Sequence, residues 1–176
     1  MVTRWVHFPL HPETPMEGVS LEQLFKGREV DVNGFRDRMK TLMAEADLPY
    51  GDRSMTYNSR LAQELGKWAD TQPGGEAIHD ALYQAYFVDN LNISEVDTLV
   101  GIAASVDLDA AQSRHVLEHR TFKDAVDEDW RRGAYNGITG VPTFFSQDLF
   151  VVGCQPYDIL ERFVRHLQKL QSEAAG

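Results

Sequence analysis

Cys154 is the only thiol in this 176-residue chain, so any thiol chemistry has to use a single nucleophile. A thiolate can attack a disulfide and form a mixed disulfide, but a reversible dithiol cycle also needs a second, resolving thiol. The sequence therefore excludes an intrachain disulfide and a self-contained Cys-x-x-Cys redox centre.

Two other groups of residues could take part in chemistry. Val141-Pro142 joins a Gly-containing loop to an apolar run, where a proline cannot donate to a β-ladder. His115 and His119 are four residues apart on a predicted helix, a spacing that can hold a metal ion. Because no third ligand stands at a motif spacing, we predict no metal site. The sequence also contains no phosphate loop, dinucleotide fingerprint or Gly-x-Ser-x-Gly elbow.

The charge balance of the chain argues against some classes of binding partner. The chain has 17 Lys and Arg against 27 Asp and Glu, and its net charge is -10. This charge repels phosphate backbones and anionic lipids, and no basic stripe offsets it, so we predict neither nucleic-acid nor membrane partners. The first residues lack the apolar core of a signal peptide, and no stretch approaches the roughly 18 apolar residues that span a bilayer. With one cysteine, a cytoplasmic location is the simplest expectation.

Cys154 and Val141-Pro142 lie towards the C-terminal end of the chain, after a long helical block. Apolar and other side chains alternate over residues 5–10, which predicts a first strand. The prolines of residues 11–15 end it. Ser20 and Gln23 form a capping box, and helical periodicity then recurs to about residue 136.

The pattern changes after the helical block. The runs at residues 143–146 and 149–152 predict two strands joined by a turn at Gln147-Asp148. A last amphipathic helix follows Pro156, which suits a first helical turn. The order is strand, helical block, β-hairpin and helix. It predicts one α/β domain over residues 1–176, with a helical insertion at about 20–136 and a β-β-α unit at 141–170.

Three segments together resemble the DsbA/FrnE-like branch of the thioredoxin superfamily. They are Phe8-Pro9-Leu10-His11-Pro12, Gly140-Val141-Pro142-Thr143-Phe144 and Gly153-Cys154-Gln155-Pro156. The resemblance covers nearly the whole chain and implies a thioredoxin-like fold with a large all-helical insertion. Relatives begin with a strand and a helix that carry Cys-x-x-Cys. This sequence starts about one strand and one helix later, so we expect the N-terminal βα unit to be missing. Either the recorded chain starts at an internal Met, or the protein is a natural short form.

The resemblance also implies a substrate-binding loop formed by Gly140, Val141 and Pro142. In such folds the proline is cis, and X-Pro bonds permit this form at about 0.5–1 kcal/mol. The residue before it, here Val141, offers its backbone N–H and C=O to an extended substrate peptide. The alternative interpretation is an ordinary proline at a strand entry that binds no ligand.

Hairpin geometry places Cys154 beside this loop. If Gln147 and Asp148 form a two-residue turn, Pro142 faces Gly153 and Val141 faces Cys154. The thiol would then precede a helix N-terminus, where the helix dipole favours a thiolate. Cys154 is therefore a candidate single-thiol catalytic residue. The competing interpretation is a small, buried packing residue, because relatives tend to have alanine here and most free cysteines are inert.

Three functions follow from these features. The first is thiol–disulfide oxidoreduction or isomerisation, which the resemblance implies but the missing Cys-x-x-Cys puts in doubt. The second is a glutathione-dependent isomerase or transferase related to the kappa-class and chromene-carboxylate isomerase enzymes. The third is a non-catalytic binding module. We expect no bound cofactor, although glutathione is a candidate thiol co-substrate and a peptide a candidate substrate.

A missing first strand would also affect assembly. In thioredoxin-like folds that strand lies between the equivalents of residues 3–10 and 143–146, so its absence leaves unpaired backbone groups and an apolar gap. Either residues 3–10 slide into the gap, or a second copy of the chain covers the edge. We predict a homodimer.

Overall fold

A computed structural model of the chain describes residues 4–27 and 31–174. The strands within these residues are short, and the helices dominate. In chain order the elements are β1 (Val19–Ser20), α1 (Leu21–Leu24), α2 (Val32–Glu45), β2 (Met55–Thr56), α3 (Arg60–Ala69), α4 (Ala77–Tyr83), a π-helical turn (Gln84–Val88), α5 (Val96–Ser105), α6 (Ala110–His119), α7 (Lys123–Tyr135), β3 (Thr143–Ser146), β4 (Leu149–Val152) and α8 (Tyr157–Ala174).

The chain divides into two compact units. One is the helical unit, His11–Val126, and the other combines Met1–Leu10 with Asp127–Gly176. No helix in the described part of the chain is both long enough and apolar enough to cross a membrane.

The core of the helical unit is built on α3 to α6. Apolar side chains recur on the inner face of each helix at helical spacing, and each buried leucine or isoleucine stabilises the fold by about 1.5–3 kcal/mol. The side chains with no more than 1% exposure in this cluster are Leu65, Ala69, Ile78, Leu99, Ala103 and Leu117. By contrast, α2 carries a helical apolar pattern but has no buried residue.

An ion cluster with a buried carboxylate lies next to this apolar core. The carboxylate of Glu64 has no exposed side-chain surface, and it accepts a 2.7 Å hydrogen bond from Arg60 Nε, one turn earlier on α3. Arg120 Nε and Nη2 donate to the two carboxylate oxygens at 2.7 and 2.6 Å. Because Arg120 lies at the C-terminal end of α6, the cluster ties α6 to α3.

Local signals predicted the start of the first helix correctly. The Ser20 hydroxyl accepts a hydrogen bond from the Gln23 N–H, and the Gln23 side chain accepts one from the Ser20 N–H, which confirms the capping box. The strand β1 pairs with β2 in an antiparallel ladder of two residue pairs.

The second unit contains the predicted hairpin. The strands β3 and β4 pair antiparallel, with Ser146 opposite Leu149 and Thr143 opposite Val152. Gln147 and Asp148 both have positive φ, the backbone form of a two-residue type I′ turn. The predicted register is therefore confirmed.

The predicted first strand is wrong over the part of it that the structure describes, and Thr3 lies outside that part. Residues 4–10 join no β-ladder among the described residues. Instead, the His7 N–H donates to the buried carboxylate of Asp129 at 2.9 Å, and Phe8 lies against Gly133 of α7. An alternation of apolar and polar side chains is compatible with a strand, but a strand forms only where the backbone of a second strand pairs with it through hydrogen bonds.

Candidate functional site

The loop before β3 is hydrogen-bonded to the residue that follows β4. The Val141–Pro142 peptide bond is cis. Gly153 N–H donates to Pro142 O at 2.8 Å, which continues the hairpin ladder by one pair beyond Thr143 and Val152. The Thr143 hydroxyl donates to Gly140 O at 2.7 Å and so closes the loop on itself. Val141, in this loop, is 50% exposed.

Cys154 follows the paired residue Gly153 directly. Gly153 has a φ of +86°, in the left-handed region that L side chains rarely adopt, so the chain leaves the line of β4 at this point. The Gln155 side chain donates to Val152 O at 2.8 Å and braces the turn. The thiol of Cys154 is exposed. The buried packing interpretation is therefore wrong, whereas the pairing of Val141 with Cys154 stays a prediction.

The structure brings the other two candidate ligands, His115 and His119, close together. Their ring centroids are 4.1 Å apart with the ring planes tilted by 30°, and His119 Nδ1 lies 2.9 Å from His115 O. Within residues 4–27 and 31–174, no three His, Cys, Asp or Glu side chains come together in a way that could hold a metal ion.

Asp129 is a residue whose role the sequence did not reveal. The acidic run around it is typical of a solvated helix face, yet Asp129 is buried and accepts the hydrogen bond from His7 described above. Its spacing on α7 could have indicated this, because Val126 and Gly133 are buried on the same helix at the i−3 and i+4 positions.

A shallow surface depression of about 380 Å³ also lies on α7. It is lined by Glu128, Arg131, Arg132 and Tyr135. Arg131 already pairs with Glu128 at 2.8 Å. The lining contains no thiol and no histidine, so the loop with Cys154 remains the candidate site.

Comparison with known proteins supports the fold. Residues 2–165 match the model of the DSBA-like thioredoxin domain family. Over 111 residues the chain is 34% identical to the uncharacterised protein YwbO of Bacillus subtilis (strain 168), an alignment that covers 62% of this chain and 55% of that protein. The chain thus spans little more than half the length of this curated relative.

Two solved structures are similar to this one. The structure of a probable DsbA oxidoreductase from Streptomyces coelicolor superposes with a TM-score of 0.81 at 25% identity, covering 93% of this chain and 73% of that one. A 2-hydroxychromene-2-carboxylate isomerase superposes with a TM-score of 0.68 at 16% identity, covering 82% and 71%. The second likeness shows the fold alone. Together with the family match, they confirm the predicted thioredoxin-like α/β fold with a helical insertion.

Proposed function

Because the chain belongs to the DSBA-like thioredoxin domain family, we propose that it carries out thiol–disulfide exchange through the single thiol of Cys154. One observation carries this proposal. The Cys154 thiol is exposed and lies one residue beyond Gly153, which is hydrogen-bonded to Pro142 of the loop. A buried thiol could not reach a disulfide in solution, whereas this one can.

The proposed reaction needs only one protein thiol because an external thiol resolves it. The Cys154 thiolate attacks the glutathione sulfur of a disulfide between glutathione and a cysteine-containing peptide. A Cys154–glutathione disulfide forms, the original S–S bond breaks, and the peptide thiolate leaves and takes up a proton. A second glutathione thiolate then attacks the glutathione sulfur bound to Cys154. This releases oxidised glutathione and regenerates the Cys154 thiolate.

The loop supplies a surface for the backbone of the substrate. Val141 stands at an exposed position, and no hydrogen bond of its N–H or C=O is found among the described residues. Backbone groups of this kind bind an extended peptide by the hydrogen bonds of strand addition. Glutathione and short cysteine peptides both have the backbone that such a site would hold.

A glutathione-coupled reduction assay on a glutathionylated peptide tests the proposal. We expect turnover by the native chain, and we expect Cys154→Ser to reduce it by at least about 100-fold because the nucleophile is lost. The control is the double variant Cys154→Ser/Ser172→Cys. It keeps one exposed thiol but moves it 18 residues along the chain, to a position 15 residues beyond the start of α8 and roughly 20 Å along the helix axis from that start.

The double variant shows whether turnover needs a thiol beside the Val141-Pro142 loop or only an exposed thiol anywhere on the chain. Unchanged turnover in Cys154→Ser would overturn the proposal, since no thiol of the chain would then be needed. Equal turnover in the double variant would also overturn it, because any exposed cysteine would then serve.

A further inference from the structure

Two histidines at the C-terminal end of α6 play no part in the proposed thiol exchange. His115 and His119 are both exposed, and their ring centroids are 4.1 Å apart. Residues four apart on a helix lie one above the other on the same face, so both imidazoles stand over one stretch of the helix surface. Residues 115–119 read His-Val-Leu-Glu-His, the H-x-x-E-H pattern in which one group of zinc enzymes holds two of its metal ligands.

A hydrogen bond fixes the tautomer of one ring. His119 Nδ1 lies 2.9 Å from His115 O, and a carbonyl oxygen can only accept, so Nδ1 carries the hydrogen. In a neutral imidazole the other nitrogen, here Nε2, then has its lone pair available. Histidines that bind metals almost always donate their second ring N–H in this way, commonly to a backbone carbonyl, which orients the ligand nitrogen. His119 therefore has the local arrangement of a metal ligand.

The ring of His115 can rotate to complete the site. Among the described residues its side chain makes no hydrogen bond, and it is exposed. Two imidazole nitrogens that bind one tetrahedral zinc ion at about 2.0–2.1 Å are roughly 3.3–3.4 Å apart. Because the ring centroids are already 4.1 Å apart, rotation of the His115 ring can bring its nitrogen to this separation while His119 keeps its hydrogen bond.

The electrostatics of this end of α6 favour a cation. The helix ends at His119, and the C-terminal end of a helix carries a partial negative charge. Arg114 is the nearest cation in sequence, and its charge is offset because it pairs with both Asp97 and Glu118. The net charge of -10 also raises the concentration of divalent cations near the surface.

We propose that His115 and His119 bind Zn²⁺, a divalent transition metal ion for which imidazole is a suitable ligand. The absence of a third protein ligand, which led us to predict no metal site from the sequence, does not prevent this, because water can fill the remaining positions of an exposed ion. Among the described residues no third His, Cys, Asp or Glu joins the pair. Two protein ligands suit reversible binding of the ion.

The expected effect of the ion is to stabilise the end of α6. An ion held by residues four apart joins two successive turns of the helix. The residue that follows, Arg120, binds the buried carboxylate of Glu64 on α3, so the ion would stabilise the turn that carries this contact. Glu118, the glutamate of the H-x-x-E-H pattern, pairs with Arg114 at 3.5 Å, and we propose no hydrolytic activity. The site does not depend on the proposed thiol exchange, since Cys154 takes no part in it.

Isothermal titration of the full chain with ZnCl₂ tests the site. Cys154→Ser is the background for every measurement, because a thiol also binds zinc. We expect this chain to bind one Zn²⁺. We expect His115→Ala or His119→Ala to weaken binding at least about 10-fold, since even the loss of a residue that only orients a ligand costs about 10–100-fold in affinity. The matched control is His166→Ala, which removes the one histidine of α8 and should leave the affinity unchanged.

Urea unfolding followed by circular dichroism gives a second readout. Zn²⁺ that binds only the folded chain, at 100 times its dissociation constant, raises the folding equilibrium constant about 100-fold. This stabilisation should be present in the background chain and in the His166 variant, and absent from the His115 and His119 variants. Both of these histidines are exposed, so both variants should fold normally without metal.

Three results would overturn the proposed zinc site. One is that the background chain binds no Zn²⁺. Another is that all the variants bind Zn²⁺ with equal strength, because the ion would then be held elsewhere. The third is that Mg²⁺ binds as tightly as Zn²⁺, since Mg²⁺ prefers oxygen ligands and would show that the acidic surface alone attracts the ion.

Discussion

Replacing Glu64 by alanine is expected to lower the free energy of unfolding by about 3 kcal/mol, the lower end of the range for breaking a buried ion pair. Glu64 is fully buried and binds Arg60 and Arg120 at 2.6–2.7 Å. Alanine would leave two guanidinium groups next to an apolar core without the carboxylate that neutralises them. The lower end applies because Arg120 is 42% exposed and water can solvate part of its charge.

Glu118→Ala is the matched control for this change. Glu118 also pairs with an arginine four residues away, Arg114, but both side chains are exposed. Exposed pairs of this kind contribute about 0–1 kcal/mol. Urea unfolding followed by circular dichroism measures both variants. Equal losses of stability in the two would contradict a structural role for the buried cluster.

The Glu64 cluster also predicts a pH dependence. Burial raises the pKa of the Glu64 carboxyl, but hydrogen bonds from Arg120 and Arg60 outweigh burial, so the pKa lies below its usual value of 4.5. A lowered pKa in the folded state means that the ionised carboxylate stabilises the fold above the pKa of the unfolded chain. This contribution is lost as the pH falls through the folded-state pKa. The stability difference between the native chain and Glu64→Gln should therefore be constant near pH 7 and shrink below pH 4.5. A difference that does not change with pH would contradict this.

Replacing Trp68 by alanine is expected to lower the free energy of unfolding by about 3–5 kcal/mol, the usual cost of truncating a buried aromatic residue. Trp68 lies on α3, is 4% exposed and belongs to the core cluster of the helical unit. Its removal takes away apolar contact and leaves a cavity that the surrounding helices fill only partly. Trp5→Ala removes the same side chain from a site that is 59% exposed, and should cost less than about 1 kcal/mol. Similar losses for the two tryptophans would contradict the assigned core.

The hairpin was predictable because its signals are local. Two apolar runs separated by Gln147-Asp148 define both strands, and a two-residue turn fixes their register without reference to the rest of the fold. The capping box at Ser20 is local in the same way, since both of its hydrogen bonds lie within four residues.

Features that depend on residues far apart in the sequence could not be predicted from local patterns. The i,i+4 spacing of Arg60 and Glu64 is visible in the sequence, but Arg120 lies 56 residues from Glu64 and only the fold brings it there. Residues 4–10 have the alternation of a strand, yet His7 binds Asp129 across 122 residues instead of joining a ladder. The exposure of Cys154 depends on the backbone of Gly153 and on what covers the turn, and a pattern of residue types specifies neither.

The rate at which Cys154 forms a mixed disulfide with oxidised glutathione tests the proposed thiol-exchange site most directly. Mass spectrometry of quenched samples measures this rate over a range of glutathione concentrations. If the loop binds the tripeptide before the sulfur atoms react, the rate saturates as the concentration rises. The thiol of Cys154→Ser/Ser172→Cys should instead react in simple proportion to concentration. A linear dependence for Cys154, with the same slope as the displaced thiol, would contradict a binding site at Val141-Pro142.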